Sequence, residues 1–135
     1  MKIIEIINAR RAIITLINRN TNKEQGVDNI PFALKYKLVK FIKDTDGDEE
    51  FFQSQFNELI EKYSEKDEEG KPVQNGDGYK VQEDLLEECT KKMEELKNIR
   101  MGGEKCNKFL TISELENLQI GYSETSALFP FIKEE

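Results

Sequence analysis

Asn8, Arg10 and Arg11 are the residues whose types and spacing are best suited to binding an anion. Asparagine commonly caps the start of a helix, and with Asn8 in that role both arginines fall in the first helical turn. That turn carries the positive end of the helix dipole, where cations are unfavourable unless an anion lies nearby. Unpaired backbone N–H groups and forked guanidinium groups together suit a phosphate or carboxylate. We therefore predict a ligand-binding site at Asn8, Arg10 and Arg11, extended by Lys35 and Lys40.

The distribution of charge along the chain favours an anionic partner for this region. The first 43 residues contain nine lysines or arginines and three acids, and the remainder contains eleven and 24. The net charge of −7 therefore divides into about +6 and −13. The concentrated cations can meet acidic helices of the same chain, a second copy or a foreign anion, and these alternatives stay open. Duplex nucleic acid is disfavoured, because the net charge is negative and no recognition-helix motif is present.

The absence of histidine limits the catalytic chemistry that this chain can perform. Without imidazole there is no Ser–His or Cys–His nucleophile pair and no histidine general base. Two cysteines, Cys89 and Cys106, are too few for an all-cysteine zinc site. The glycines do not form a phosphate loop. We therefore expect a protein that is not an enzyme and that holds no cofactor or metal.

The segment from Asp44 to Asp48 has the acidic spacing of the beginning of a calcium-binding loop. Such a loop also needs glycine at its sixth position and a bidentate glutamate at its twelfth. Glu49 and Gln55 occupy those positions, so we reject calcium binding. The segment instead predicts a solvated turn between two helices, with Asp48 capping the second helix.

The secondary structure of the N-terminal segment determines the position of the candidate site residues on the fold. Residues 2–7 are rich in isoleucine, which favours a strand, whereas apolar residues from Ala9 to Ile17 recur with helical spacing. We predict a strand at 2–7, Asn8 as the N-cap, and a helix from residue 9 to about residue 19. A single helix from residue 3 also fits the apolar period, and periodicity does not separate the two.

The middle of the chain predicts amphipathic helices joined by short connections. Pro31 suits a first helical turn, and apolar spacing indicates one helix after it and another ending near Ser64. A further helix spans roughly residues 83–99. The dipeptide Asn75-Gly76 indicates a tight β-hairpin, which we expect at the tip of an antiparallel helix pair.

The C-terminal part predicts a strand and two short helices. The strand covers residues 108–112 and is expected to pair with the strand at 2–7 in a small sheet. Ser113 and Glu116 match a capping box, and Ser123 is positioned to cap a last helix. The predicted fold class is α+β and mainly helical, a single domain over 1–135 with an antiparallel helix pair, a β-hairpin tip and that sheet.

A family resemblance that extends over most of the chain is carried by four segments, at residues 2–9, 36–43, 59–70 and 115–128. The most specific of them contains the run Glu-Lys-Tyr-x-Glu-Lys-Asp-Glu-x-Gly, which ends at Gly70. These segments resemble a group of small phage and prophage proteins of unknown function. The stretch Met101–Lys105 departs from the more extended strand expected there. The resemblance implies a phage origin and transfers no catalytic residue.

These observations together favour a phage-encoded, non-catalytic binding protein in counter-defence or host takeover. It would sequester a small anionic, nucleotide-like ligand at the predicted site or block a host defence protein. The alternative is a virion assembly or structural accessory protein that acts by self-association. The isoleucine-rich N-terminus and the charge asymmetry also predict a homo-oligomer, most simply a C2 dimer. No apolar run reaches the length of a membrane span, so we expect no membrane partner and a location in the host cytoplasm.

Overall fold

The computed structural model describes residues 1–134 and is mainly helical, which confirms the predicted α+β class. Six α-helices run through these residues: α1 Ile3–Arg19, α2 Phe32–Asp44, α3 Asp46–Tyr63, α4 Leu86–Lys97, α5 Ile112–Leu115 and α6 Tyr122–Leu128. Single turns of 3-10 helix lie at Glu83–Leu85, Glu104–Cys106 and Phe129–Phe131. No helix within the described residues has the length and apolar character needed to cross a membrane.

The strands are short and form three separate pairs. They are β1 Thr21–Asn22 with β2 Val27–Asp28, β3 Gln74–Asn75 with β4 Gly78–Tyr79, and β5 Leu110–Thr111 with β6 Ile132–Lys133. The first two pairs are antiparallel and the third is parallel. The β3–β4 hairpin confirms the turn expected at Asn75-Gly76, where Gly76 has the positive φ of 64° that favours glycine. The hairpin lies between α3 and α4, which pack against each other as the predicted helix pair.

The predicted strand at residues 2–7 is wrong, because α1 already begins at Ile3. Ile3, Ile6 and Ile7 are all fully buried, and this i, i+3, i+4 spacing places them on one helical face, whereas a strand would alternate them. The partner predicted for residues 108–112 is therefore also wrong. Leu110–Thr111 pairs instead with β6 near the C-terminus.

The start of α1 corrects the role of Asn8 as well. Asn8 lies within the helix, one and a half turns past its start, and cannot cap it. The N-cap position is occupied by Lys2, whose backbone N–H donates to Glu5 Oε1 at 3.0 Å. The alternative of a single N-terminal helix is the one that the structure adopts.

Three other predicted caps are also wrong. Thr111 and Glu114 form the capping box of α5, two residues before the predicted pair. Helix α6 begins after Gly121, so Ser123 lies inside it. Thr45 precedes α3, which leaves Asp48 within the first turn of that helix. Of these three helices only α5 has a side-chain cap, because neither Thr45 nor Gly121 forms a capping hydrogen bond through a side chain.

Helix α1 is the centre of the molecule and contributes to two hydrophobic clusters. The larger cluster joins it to α2, α5, α6 and the segment ending at Phe131, and Phe41, Phe109 and Phe131 stack within it. The smaller cluster joins Ile3 and Ile7 to α3 and α4. Ile3, Ile6, Ile7 and Ile13 are buried in these two clusters, whereas Ile14 of the same helix is 50% exposed.

Candidate ligand-binding groove

A groove of about 790 Å³ lies between α1 and α6. Its α1 wall is a stripe at helical spacing, with Arg11 beside it: Glu5, Asn8, Ala12, Thr15 and Arg19. At 1.5 Å per residue this stripe is about 21 Å long. The opposite wall is formed by residues of α6 and the turn after it: Tyr122, Ser123, Glu124, Ser126, Ala127 and Pro130. The volume lies within the usual range for small-molecule sites.

Arg10 does not belong to this groove, although the sequence predicts it as a ligand-binding residue. It is only 8% exposed, and Nη1 donates to the Ile42 carbonyl at 2.5 Å and to Thr45 Oγ1 at 2.7 Å. Nη2 donates to Asp46 Oδ1 at 2.9 Å, and Nε lies 3.5 Å from Glu49 Oε2. The anionic partners of Arg10 are therefore acids of its own chain, Asp46 and Glu49, at the junction between α2 and α3.

Arg11, the neighbouring residue, points to the groove and is exposed. Its guanidinium has no ion pair or hydrogen bond with any residue in the part of the chain that the structure describes, 1–134. In addition to the hydrogen bonds of the helix backbone, its carbonyl accepts from Thr15 Oγ1 at 3.0 Å. Asn8 lies one turn earlier on the same wall. The structure thus brings Asn8 and Arg11 together, for a reason other than the predicted helix cap.

Lys35 and Lys40, the other two predicted site residues, lie on α2 and do not line the groove. Lys35 Nζ lies 2.7 Å from Asp28 Oδ2, and this hydrogen bond holds the pKa of Asp28 below its ordinary value. Lys40 Nζ donates to Asp44 Oδ2 at 2.7 Å, which raises the pKa of Lys40. Both lysines are therefore engaged by nearby acids rather than converging on Arg11.

An ion pair between half-exposed Arg19 and buried Glu124 forms part of the groove lining. Arg19 Nη1 lies 2.9 Å from Glu124 Oε1, and the Glu124 side chain is only 5% exposed. This oxygen is buried, and the Arg19 guanidinium is its ion-pair partner. A Cβ at Gly121 would lie 2.6 Å from Arg19 Nη1 and 2.8 Å from Glu124 Oε2, so a larger residue there requires the ends of these two side chains to shift.

Tyr122 also lines the groove, and it is 89% exposed. An aromatic ring so exposed offers a flat face on which a planar ligand can stack. Sequence reasoning missed Tyr122, Glu124 and Arg19. Of these three residues, only Arg19 had an indirect indication in the sequence. If α1 is a single helix, Arg19 lies on the same face as Asn8 and Thr15, at three- to four-residue spacing.

The charges that line the groove leave one cation without an acidic partner. Arg19 and Glu124 compensate each other, and Glu5 accepts from the backbone N–H of Lys2. The four charged side chains of the groove, Glu5, Arg11, Arg19 and Glu124, therefore sum to zero, and Arg11 is the cation among them without an ion pair to residues 1–134. An anionic group can bind there without displacing an existing partner.

The acidic and thiol groups elsewhere are engaged or isolated. Among residues 1–134 no group of three or more potential ligands is placed to hold a metal ion. In the segment that resembles a calcium loop, Asp46 pairs with Arg10, and Asp48 accepts from Lys105 Nζ at 3.0 Å. Cys89 is a free thiol, and burial raises its pKa.

No protein-family model matches the chain, and no curated protein or solved structure shows detectable similarity to it. The groove between α1 and α6 is therefore the feature of the molecule that indicates a function.

Proposed function

We propose that this protein is a non-catalytic binding protein that holds a small anionic, nucleotide-like ligand in the groove between α1 and α6. The observation that carries the proposal is the state of Arg11. It is an exposed cation without an acidic partner among residues 1–134, and it lines a groove of ligand size. Arg10, Arg19, Lys35 and Lys40 differ from it, because each already has an acidic partner in the chain.

The other groups of the groove support binding rather than chemistry. Asn8 offers an amide, Ser123 and Ser126 offer hydroxyls, and Tyr122 offers an exposed ring. Such groups orient a ligand through hydrogen bonds and stacking. With histidine absent from the sequence, the groove lacks the commonest general base.

The resemblance to phage and prophage proteins supports a role in counter-defence or host takeover within the host cytoplasm. A protein that sequesters a nucleotide signal needs affinity and abundance but no catalytic group. In a variant of this proposal, the protein blocks a host protein, and the anion that binds Arg11 is a carboxylate of that host protein.

The test is binding of the four ribonucleoside monophosphates and inorganic phosphate at low salt, measured by calorimetry and by the shift of the melting temperature. We expect at least one nucleotide to bind and to raise the melting temperature, because a ligand of the native state stabilises it. Arg11→Gln should weaken that binding by about tenfold or more, since a hydrogen bond to a charged group contributes about 1.5–3 kcal/mol.

Lys23→Gln is the matched control, because Lys23 is an exposed cation in the turn between β1 and β2 and lies outside the groove. It removes the same charge and should leave the affinity within about twofold. If no anion binds, or if the Arg11 and Lys23 variants bind alike, the proposed site is wrong.

A second candidate function is self-association in virion assembly, and one surface favours it. Phe32, Tyr36 and Val39 lie at i, i+4 and i+7 on α2, so they form one exposed apolar stripe. Phe32 is 87% and Tyr36 70% exposed. Aromatic side chains in such patches are typical anchors of protein interfaces.

A further inference from the structure

The exposed stripe of α2 continues into a free cation. Lys43 follows Phe32, Tyr36 and Val39 in the last turn of the helix, four residues after Val39 and eleven after Phe32. At about 100° per residue, these side chains fall within an arc of about 60° around the helix axis. Lys43 is exposed, and its ammonium group has no ion pair or hydrogen bond with any residue of 1–134. The stripe therefore has an aromatic ring at one end and an unpaired ammonium group at the other.

The Phe32 ring is able to receive a second cation. The Lys35 ammonium group lies 5.3 Å from the ring centroid, and Phe32 is 87% exposed, so the opposite face of the ring is open. An ammonium group is attracted to an aromatic face by the negative charge of its π system. Lys43 of the same chain cannot reach the ring, because eleven residues of helix separate the two by about 16 Å. A second copy of α2 supplies such a cation.

The positions of these groups select an antiparallel pairing of two α2 helices. In a parallel pair each Lys43 would lie beside the other, and the like charges would repel. With Phe32 opposite Lys43 in an antiparallel pair, the two lysines are about 16 Å apart, which exceeds the screening length of about 8 Å at physiological ionic strength. The same register sets Tyr36 opposite Val39. The stripe is therefore complementary to itself, as the contact surface of a C2 dimer must be.

The charges beside the stripe favour a contact at this surface over other surfaces of the chain. At a net charge of −7, two copies repel each other at long range. The stripe contains no acid, and Lys35 and Lys40 beside it are paired with Asp28 and Asp44. The repulsion between two copies is therefore weak where two stripes meet, and Lys43 adds an attraction at each end.

We propose that two copies of the chain form a C2 dimer through antiparallel α2 helices, with the Lys43 ammonium group of each copy on the Phe32 ring of the other. This inference rests on the second candidate function, because it gives the direction and register of that self-association. Two contacts between Lys43 and Phe32 flank two contacts between Tyr36 and Val39. Single helix faces form a small interface, which is typical of weak association, so the experiment covers protein concentrations up to the millimolar range.

The experiment exchanges the groups at the paired positions and measures the dimer dissociation constant of the full-length protein by sedimentation equilibrium. Phe32→Lys sets two cations opposite each other, and Lys43→Glu sets an anion over the ring, so each should weaken dimerisation at least fivefold. The double variant Phe32→Lys, Lys43→Glu should dimerise at least fivefold more tightly than either single variant, because opposite charges then face each other at both ends. Within one chain the two positions are too far apart to form an ion pair.

Lys91→Glu is the matched control for net charge, because Lys91 is an exposed cation on α4. It should leave the dissociation constant within about twofold, as expected for an exposed charge outside the contact. Circular dichroism verifies the fold of each variant. Lys43→Gln keeps the inference testable if a Phe32 variant does not fold. It should weaken dimerisation at least threefold, and an unchanged constant overturns the register.

The outcomes separate this register from self-association in general. If the wild type dimerises but the double variant is no tighter than the single variants, the antiparallel register is wrong and the second candidate function stands. If the wild type is monomeric at every concentration, both are overturned.

Discussion

Arg10 Nη2 donates a hydrogen bond of 2.9 Å to Asp46 Oδ1, which ties the middle of α1 to the first residue of α3. The same guanidinium donates to the carbonyl of Ile42 in the last turn of α2 and to the hydroxyl of Thr45 between the two helices. One side chain therefore satisfies acceptors on both sides of a helix junction. Cations are favoured near the C-terminal end of a helix dipole, and acids are favoured near the N-terminal end.

Arg10→Met is expected to lower the free energy of unfolding by about 2–4 kcal/mol, because it removes several charge-assisted hydrogen bonds at a buried site. Arg11→Met should change it by no more than about 0.5 kcal/mol, since Arg11 is exposed. Urea unfolding of the two variants under the same conditions measures both. Equal effects would show that the Arg10 contacts do not hold the junction.

The sequence alone does not predict which of the two neighbouring arginines, Arg10 or Arg11, is buried. Their residue types led to the prediction of a ligand-binding site, with acids of the same chain as an open alternative, and Arg10 pairs with Asp46 and Glu49. Adjacent residues differ by about 100° around a helix axis, so one side chain faces inward and the next faces outward. Which of them is buried depends on where the acids of residues 46–49 come to lie, and that is set by packing over more than 30 residues of separation.

The N-terminal isoleucines show the same limit for the fold. Their β-propensity favoured a strand, yet burial of Ile3 and Ile7 against α3 and α4 outweighs that preference. Features that depend on neighbouring residues alone, such as the turn at Asn75-Gly76 and the break near Thr45, were predictable. The burial of Glu124 could not be predicted in this way, because its partner Arg19 is distant in the sequence.

The stability of the α5 capping box should depend on pH through Glu114. Burial raises the pKa of this carboxyl, but hydrogen bonds from Lys37 and Thr111 outweigh that effect, and the net pKa lies below its ordinary value of 4.5. A carboxyl with a lowered pKa in the folded state stabilises the protein above about 4.5. That contribution is lost as the pH falls through the folded-state pKa.

Glu114→Gln tests this dependence, because glutamine can also serve in a capping box but cannot pair with Lys37. At neutral pH the variant should be less stable by up to about 1 kcal/mol, as expected for a partly exposed pair. The difference from the wild type should shrink as the pH falls below 4.5. Urea unfolding across this range measures it, and a constant difference would contradict the assignment.

The β3–β4 hairpin should be dispensable for folding. Most of its residues are exposed, and its connections to the adjoining segment are mainly backbone ones, such as Val73 N–H to the Glu65 carbonyl at 2.8 Å. Replacing residues 70–78 with a short Gly-Ser linker should lower the free energy of unfolding by about 1–2 kcal/mol. Thermal unfolding should remain a single cooperative transition, and its loss would identify the hairpin as a core element.

Gly121→Ala should disturb the Arg19–Glu124 ion pair. The added methyl group would lie 2.6 Å from Arg19 Nη1 and 2.8 Å from Glu124 Oε2, so both side-chain ends must shift, and Glu124 is buried. Overpacking of this kind costs about 1–3 kcal/mol. Gly102→Ala is the control, because nothing lies within 4 Å of a Cβ there. Thermal unfolding should separate the two, and equal melting temperatures would show that the pair rearranges freely.

We predict that the protein self-associates through the exposed stripe of Phe32, Tyr36 and Val39. Lys35, Lys37 and Lys40 beside the stripe are paired with acids of the same chain, so these three side chains add little local repulsion between two copies. The wild type should exceed its monomer mass of 15.7 kDa in sedimentation velocity as concentration rises. The Phe32→Ser, Tyr36→Ser double variant should remain monomeric, because it removes the two most exposed aromatic rings of the stripe.

Phe129→Ser is the matched control, since Phe129 is also an exposed aromatic residue but lies outside α2. It should associate as the wild type does, and all three proteins should share the same circular dichroism spectrum. Monomeric wild type at every concentration would exclude self-association through this surface. Loss of association in the Phe129 variant as well would show that general hydrophobicity, rather than the α2 stripe, drives the contact.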